Sequence, residues 1–591
     1  MSTLPPSRTL APRFCGETAC NKWAPLCEES IVGGNDLLGA AAWAVHFVDR
    51  EYATRQGLHS AMPINDPRPL RGWRFVLLNI VIGLGHVLVL SNVPGYAVVV
   101  PSAAGDLQGV TPSFAVWAAT DHMIGVALGF ALARRQTARF GDYRVLVSAY
   151  VLYAAMSFAC GESETILIFV GSRILLGVAG GVILPVGQSL LLNEYPKRLI
   201  TFGFGLWGIL NVLPFMLGIF IAGWYAEHLG WRYMFYSNIP VSLLVASAVG
   251  SLLCGRGYRR RFPRFDIVGF FLLATILFGT QTIFNQGNDF DWFHSPILVG
   301  ALLVVLVALP CFVIWELGER HPVIDVRLFG QRNYAIATIS SMAGFYVIMG
   351  SLAVFASQLQ LLLGYSPSLA GGVFLSMLFL YVLSAGVAHE LCRGFDVRLI
   401  CSLNFFVFAV ALTWMGLFDK IASFDEIAWP MTFFGFSFAV FFAPLARLAM
   451  DGLQDWQLTR AAEDFALLRI VAGGFGVALQ GVVLFQRTAY HALDLSDHFG
   501  GRRFAELDLM TPLSDRLQGS GFTPAMATGQ LGRLLRQEAT LLALNDVFLL
   551  GAVVFVGLAA FVWLARSPRR PNSTFTQELN QLRAEELMER I

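Results

Sequence analysis

The run Ile166-Leu167-Ile168-Phe169-Val170-Gly171-Ser172-Arg173-Ile174-Leu175-Leu176-Gly177 opens a stretch, reaching to Pro240, whose reading decides the fold. It divides into three hydrophobic spans. The first carries a single arginine, Arg173. The second is punctuated by Gly208, Pro214, Gly218 and Gly223, and the third is opened by Gly230-Trp231-Arg232 and Asn238-Ile239-Pro240. An arginine about seven to eight residues into an apolar helix lies roughly 11–12 Å below a membrane surface at about 1.5 Å of rise per residue. A cation there costs on the order of 2.5–3.5 kcal/mol, so it requires a partner or a function. The small residues of the second span let helix backbones approach closely, and Pro214 removes one backbone donor. These are properties of helices that pack tightly and move.

The composition around this stretch agrees. Of 591 residues, 56% are hydrophobic and 14% charged, against about 45–50% and about 25% in soluble domains. The chain reads as a polytopic membrane protein. Its net charge of +1 comes from basic residues dispersed among short loops, which argues against a nucleic-acid partner. The eight cysteines form no CxxC pair and no cysteine–histidine spacing of the metal-binding kind, so no metal is expected. There is no GxxxxGK[ST] phosphate loop, no HExxH and no nucleophile triad. The expectation is therefore a protein that is not an enzyme, needs no cofactor and draws on an ion gradient.

Hydrophobic windows long enough to cross about 30 Å of hydrocarbon predict about fourteen spans. They lie near 75–100, 114–133, 143–160, 165–191, 201–225, 233–254, 266–285, 296–316, 334–357, 367–388, 398–418, 427–448, 464–486 and 546–565. With the amino terminus inside, the inside loops hold Arg134, Arg135, Arg139, Arg144, Lys197, Arg198, Arg256, Arg259, Arg260, Arg261, Arg264, Arg320, Arg327, Arg332, Arg393, Arg566, Arg569 and Arg570. The short outside loops offer little beyond Arg232 and Lys420. This asymmetry predicts cytoplasmic termini at both ends.

Residues 1–71 form a Pro-containing extension that reads as disordered and cytoplasmic. Its apolar run Leu37–Val48 contains His46 and lacks a convincing cleavage site, so neither signal peptide nor span is expected. Residues 72–260 then form a six-helix bundle, and 261–330 two additional spans with a connector. A second bundle follows at 331–566, carrying a long outer segment at 487–545, and 567–591 is a cytoplasmic tail. Within the outer segment, Leu531, Leu534, Leu535, Ala539 and Leu542 stand at helical spacing, which predicts a helix over Gly529–Leu544. That helix is either packed on its own protein or a docking surface for an extracytoplasmic partner.

Several motifs now occur in an order that resembles a known family. They are Arg173-Ile174-Leu175-Leu176-Gly177 with Gly180-Gly181, Gly230-Trp231-Arg232-Tyr233-Met234-Phe235 with Asn238 and Pro240, and Phe265-Asp266 with Gly269. Asp291-Trp292-Phe293, Val323-Ile324-Asp325-Val326-Arg327-Leu328-Phe329, Leu363-Gly364-Tyr365-Ser366-Pro367, Arg469 with Gly473-Gly474, and Asn545-Asp546-Val547-Phe548 complete the series. Over residues 72–566 the chain resembles the major facilitator superfamily, and within it the fourteen-span drug:proton antiporters of the EmrB/QacA type, as a divergent member. The resemblance implies an all-α major facilitator fold of two six-helix bundles plus two middle spans in a cell inner membrane. It further implies efflux of lipophilic or aromatic small molecules in exchange for protons. Implied partners are the substrate, membrane lipid, and a periplasmic adaptor with an outer-membrane channel. An uncoupled facilitator or importer, or a membrane sensor that moves nothing, is the alternative.

The chain also departs from that family. Arg134 and Ala138 stand where the loop after the second span has a glycine and an aspartate, although Arg139 and Gly141 remain. The exporter glycine–proline pair appears as Pro214-Phe215, shifted by one place, with Gly218 and Gly223 retained. Asn92, or Ser91 in another register, takes the place of the first-span aspartate. Coupling must then rest elsewhere. Asp121, at nearly the depth of Arg173 and followed by His122, is the main candidate, with His86 near mid-membrane as another. The plain structural readings are a permanent Asp121–Arg173 ion pair and a packed His86. Gly177, Trp231 and Arg232 belong to the conformational motifs. Asn92, Trp117, Trp207, Phe345, Tyr346 and Phe379 are candidates for a cavity wall. His389, Glu390, Glu463 and Asp464 read as solvated helix ends.

A start of translation at Met62, directly before the basic lead-in Pro67–Arg74, is a further expectation. Mass spectrometry of the natural product should then detect no peptide from residues 1–61, and finding one rejects that start.

Overall fold

A computed structural model describes residues 70, 72–107, 112–195, 200–254, 265–381, 384, 395–419, 422–499 and 510–567. The expected disordered extension, the tail, and His389, Glu390 and Arg393 lie outside these residues. The elements are α1 (Trp73–Asp106), α2 (Pro112–Phe140), α3 (Asp142–Gly161), α4 (Ile166–Asn193), α5 (Ile200–His228), α6 (Asn238–Leu253), α7 (Ile267–Gln286) and α8 (Pro296–Gly318). They continue with α9 (Arg332–Leu361), α10 (Pro367–Leu375), α11 (Val397–Met415), α12 (Phe424–Met450), α13 (Asp455–Phe499), α14 (Met510–Gly519) and α15 (Pro524–Phe561). Among the described residues thirteen helices are long and apolar enough to cross a membrane. The shorter apolar helix Pro367–Tyr381 stands where the tenth span is expected. The chain is an all-helical, multi-span membrane protein.

In hydrocarbon no hydrophobic force separates helix from lipid, so backbone approach decides which helices pair. The α2–α4 crossing rests on four glycines. A Cβ at Gly177 would stand 3.1 Å from the Cα of Gly125, and one at Gly181 2.8 Å from the carbonyl carbon of Val126. Gly125 and Gly129 meet the backbone of Ile174 and Val178 in the same way. Each helix thus offers two glycines four residues apart to its neighbour. Similar contacts join α1 to α5, where Gly95 faces the carbonyl of Gly218, and α9 to α13, where Gly350 and Gly476 adjoin.

The first bundle (α1–α6) and the second (α9–α13 and α15) meet along α2–α13, α1–α9 and α5–α10. We call the side carrying Arg134 and Arg139 the basic face and the other the far face. Near the far face, Gln360 Nε2 donates to the carbonyl of Val98 at 2.7 Å, and Ser357 Oγ to that of Ala97 at 3.1 Å. The Ser368 N–H donates to Glu227 at 2.9 Å. Gly223 lies against the backbone of Pro367, and Gly371 against Phe220 and Ile219. At the basic face no extensive packing joins α4 to α12 among the described residues. The halves are therefore sealed to each other at the far face.

The two additional spans lie on the flank. α7 packs on α2 and α13, while α8 shows Val304, Val307 and Ile314 outward, the apolar surface expected against lipid. Asp266 closes this hairpin, because its Oδ1 accepts from the Gly269 N–H at 2.8 Å and from Trp315 Nε1 at 2.9 Å. Below it the connector grips α13. Asp464 accepts the Asp325 N–H at 2.8 Å and Arg460 Nε at 3.2 Å. Asp464 is 2% exposed, which corrects the expectation of a solvated end.

Both α13 and α15 outlast the hydrocarbon. Forty-five residues of α13 make a rod of about 68 Å, more than twice the core thickness. Its outer part is tied to α15 by Arg487 and His491, which contact Asp546 at 2.6 and 2.7 Å. The helix expected over Gly529–Leu544 is present as the outer part of α15, with Leu531 and Ala539 buried and Leu534 and Leu542 exposed.

Gly129→Val or Gly181→Val should force α2 and α4 apart and destabilise the protein by about 1–3 kcal/mol or more. Gly171→Val, at an open position on α4, should change nothing. Melting of the detergent-solubilised protein measures both.

Candidate functional site

Arg173 is fully buried, and three elements meet its charge. Its Nη1 donates to Oδ1 of Asn92 on α1, and its Nε to the carbonyl of Ala118 on α2 at 3.3 Å. Its guanidinium carbon lies 4.6 Å from the Tyr96 ring centre and 5.5 Å from that of Phe235. Aromatic faces attract a desolvated cation by up to about 2 kcal/mol, of the same order as the insertion cost. Neutral dipoles and rings thus compensate the arginine in part, and its Nη2 is buried without a hydrogen-bond partner. Asn92, at the position where the family resemblance places an aspartate, makes that contact with an amide that carries no titratable charge.

The expected Asp121–Arg173 pair is not formed. It is the adjacent His122 that turns toward α4, its Nδ1 lying 3.0 Å from the Arg173 carbonyl oxygen. Asp121 falls on the stripe with Ile124 and Leu128, which packs with Leu273 and Leu277 of α7. It is 3% exposed and has no hydrogen bond or ion pair with any described residue. Next to it, Thr120 Oγ1 accepts from Asn285 Nδ2 of α7 at 2.7 Å. The sequence could not show this, because depth along a helix is readable from residue count while its rotation against a neighbour is not.

His86 packs its ring on Trp207 at 4.3 Å between centres, and its Nε2 lies 3.1 Å from Asn211 Oδ1. That geometry suits an imidazole that donates from Nε2 to the amide oxygen. Trp207 is buried, Trp117 and Tyr346 are half-buried, and Phe379 is 67% exposed, pointing outward rather than into an enclosed cavity.

The motif residues are joints. Trp231 Nε1 donates to Asp106 at 3.0 Å, and Arg232 pairs with the same carboxylate. Arg232 also donates to the carbonyls of Gly161 and Ser163 at 3.1 Å each, so one loop ties the far-face ends of α1, α3 and α6. Gly141 breaks α2 from α3 at φ 88°, a left-handed conformation that glycine adopts without strain. Beside it Arg139 is exposed. Arg134, a departure from the family pattern, reaches Glu463 of α13 at 3.6 Å and links the two halves at the basic face.

Between the halves lies a cleft. Under the far-face seal its wall is apolar, formed by Val93, Pro94, Ala119, Met123, Ile219, Met349 and Val477. One helical turn toward the basic face comes an aromatic layer. Phe215 meets Phe345 and Phe438 edge-on at 6.4 and 5.8 Å, and Phe442 lies 6.1 Å from Phe345. Arg469 belongs to this layer. It shares a stripe of α13 with Gly473, which abuts Phe345 and Met123, and with Val477. Its guanidinium lies 4.6 Å from the Phe442 ring centre and 5.6 Å from that of Phe345. Its Nε is buried without a hydrogen-bond partner, and no described residue bonds or pairs with it. In the sequence Arg469 stands only as one residue of a motif.

Asn92→Leu should leave a buried guanidinium donor unpaired and cost about 1.5–3 kcal/mol, read as a lower melting point in detergent. Asn92→Asp should retain or raise it.

The sequence model of the Major Facilitator Superfamily matches residues 82–479. The multidrug export protein EmrB of Haemophilus influenzae is 26% identical over 505 residues, 85% of this chain and 97% of that protein. EmrB of Escherichia coli K12 is 25% identical over 506 residues, again 85% and 97%. The fatty acid resistance protein FarB of Neisseria gonorrhoeae is 27% identical over 503 residues, 85% and 98%. Among solved structures, an auto-inhibited POT family peptide transporter aligns with a TM-score of 0.55 at 16% identity, over 84% of this chain and 99% of that one. A bacterial homolog of the human lysosomal transporter Spinster, inward-facing and unoccupied, aligns with a TM-score of 0.54 at 12% identity, over 84% and 97%. With two helical bundles around a cleft and a family match over most of its length, the chain belongs to the Major Facilitator Superfamily.

Proposed function

We propose that this protein is a secondary transporter of an inner membrane that exports lipophilic or aromatic small molecules in exchange for protons. The observation that carries this reading is the cleft between the halves, sealed at the far face and walled by apolar side chains. Alternating access needs a site that two rigid halves cover from one side at a time. A pocket of this kind takes cargo by apolar area and discriminates weakly among shapes. The names of the EmrB relatives support export of many compounds.

With both termini cytoplasmic, as the distribution of arginines supports, the basic face is the cytoplasmic one. The seal is then extracytoplasmic, and the described conformation receives cargo from inside. The outer parts of α13 and α15, with α14, form an extracytoplasmic projection. Exposed Tyr490, Leu493 and Met526 on it suit a periplasmic adaptor that continues the path to an outer-membrane channel.

We place proton coupling at Asp121. It is a carboxylate near mid-span with no fixed counter-charge, in the seam where α2 meets α7. Its proton affinity must change as the seam opens and closes, which is the requirement for coupling. One observation favours an uncoupled facilitator instead: the amide of Asn92 occupies the contact to Arg173 that an aspartate would make titratable.

Energised inverted vesicles with a pH-sensitive dye decide between them. Addition of a transported lipophilic compound should partly collapse the gradient, and Asp121→Asn should abolish that response while leaving the protein inserted and binding cargo. Downhill movement of cargo that is equal in wild type and Asp121→Asn establishes the uncoupled reading.

A further inference from the structure

At the root of the additional hairpin, Oδ2 of Asp266 ahead of α7 and both carboxyl oxygens of Glu316 near the end of α8 are buried without a hydrogen-bond partner. Asp266 is 7% exposed and Glu316 is wholly buried. The two side chains converge. A Cβ at Gly269 would stand 2.5 Å from Oε1 of Glu316, and Oδ2 of Asp266 crowds the same point. Backbone N–H groups of Val323 and Ile324, in the connector, approach Glu316 without closing a hydrogen bond.

The charges around the pair leave it uncompensated. Arg460 of α13 faces Glu316, but its Nε donates to Asp464 at 3.2 Å and its Nη2 to the carbonyls of Pro322 and Val323. Glu463 and Asp325 add negative charge around that arginine. From α2, Arg134 meets Glu463 at 3.6 Å, and Arg135 rests on the ring of Phe265, 4.7 Å from its centre. His321 of the connector lies beside Arg134 and Arg460. Two carboxylates side by side in a low-dielectric site cannot both ionise. One proton resolves the conflict, because it turns one acid into a donor for the other. A hard metal ion fits less well, since it takes about six oxygens and the N–H groups of Gly269 and Trp315 already point into this site.

We propose that Asp266 and Glu316 share one proton and form a second proton-binding site of this chain, apart from Asp121, at the basic face of the additional hairpin. The site lies on the flank and is independent of what the cleft carries. Its proton also fastens the connector. While it is bound the pair carries one negative charge, and Arg460 stays on Asp464 and the connector carbonyls. Its loss places a second negative charge opposite Arg460, which draws that arginine from Pro322 and Val323 and loosens the segment joining the two halves.

Infrared difference spectra of the full-length protein in detergent, recorded across an alkaline titration, read the C=O stretch of a protonated carboxyl. Asp121→Asn serves as the background, so that this other buried acid does not contribute. There the band should be present at neutral pH and fade as the pH rises. Glu316→Gln and Asp266→Asn, each added singly, should abolish it, because the amide donates in place of the O–H and the remaining acid ionises. A band lost in Glu316→Gln but kept in Asp266→Asn means that Glu316 holds a proton alone, and it overturns the proposal. A band of unchanged size in both variants, or none in the background, does so equally.

Proton release during the same alkaline shift, counted with a pH-sensitive dye, gives a second readout that either variant can supply if the other does not fold. Each should release one proton fewer per protein than the background, and equal release is fatal. Hydrogen exchange of residues 319–331 at alkaline pH should be faster in the background than in Glu316→Gln, whose amide keeps the pair at one charge. Equal exchange removes the fastening of the connector.

Discussion

Backbone-to-backbone contact between α2 and α4 is the constraint on which the first bundle depends. With lipid as apolar as the side chains, dispersion and backbone dipoles must hold helices together, and both fall off within an ångström or two. Gly125, Gly129, Gly177 and Gly181 bring the two axes so close that His122 reaches the carbonyl of Arg173 and Arg173 reaches the carbonyl of Ala118. That crossing delivers the Ala118 carbonyl to the buried cation, while α1 supplies Asn92. Substituting any of those glycines with a larger residue would remove the Ala118 acceptor.

The same economy recurs between the halves, with a different consequence. Gly223 and Gly371 allow α5 and α10 to touch, and Gln360, Ser357 and Glu227 add a few hydrogen bonds around them. A seal of a few polar bonds and small residues is specific yet modest in energy, which suits an interface that must open. The joints inside a half are built differently. Asp106, Trp231 and Arg232, with the carbonyls of Gly161 and Ser163, lock three helix ends through one charged network. Bundles tied firmly within themselves and lightly to each other are what a rocking mechanism requires.

The additional hairpin changes the electrostatics of the second helix. α7 covers the stripe of α2 that holds Asp121 and supplies Asn285 to Thr120 beside it. Without such a cover a carboxylate at that angle would face lipid. Asp121 and the two additional spans therefore form one feature of this chain, and it stands on the opposite side of α2 from Ala119 and Met123, which line the cleft.

The sequence by itself determined the membrane class, the order of the spans, the far-face loop of Trp231 and Arg232, and the outer helix leading into α15. Each is local: hydropathy over about twenty residues, a basic loop, or a helical repeat registers without knowledge of neighbours. It also marked Arg173 as needing a partner, because a buried charge is conspicuous in one dimension. Which partner was decided only by tertiary structure. Asp121 stood at a plausible depth, yet the rotation of α1 and α2 about their axes brought Asn92 to the arginine and left Asp121 without a bond to it. Arg469 was hidden for the same reason. Its position in the chain is that of one more motif arginine, and only the packing of α9, α12 and α13 shows that rings surround it and that no acceptor does. Rotation about a helix axis is set by contacts between helices distant in sequence, and no local pattern encodes it.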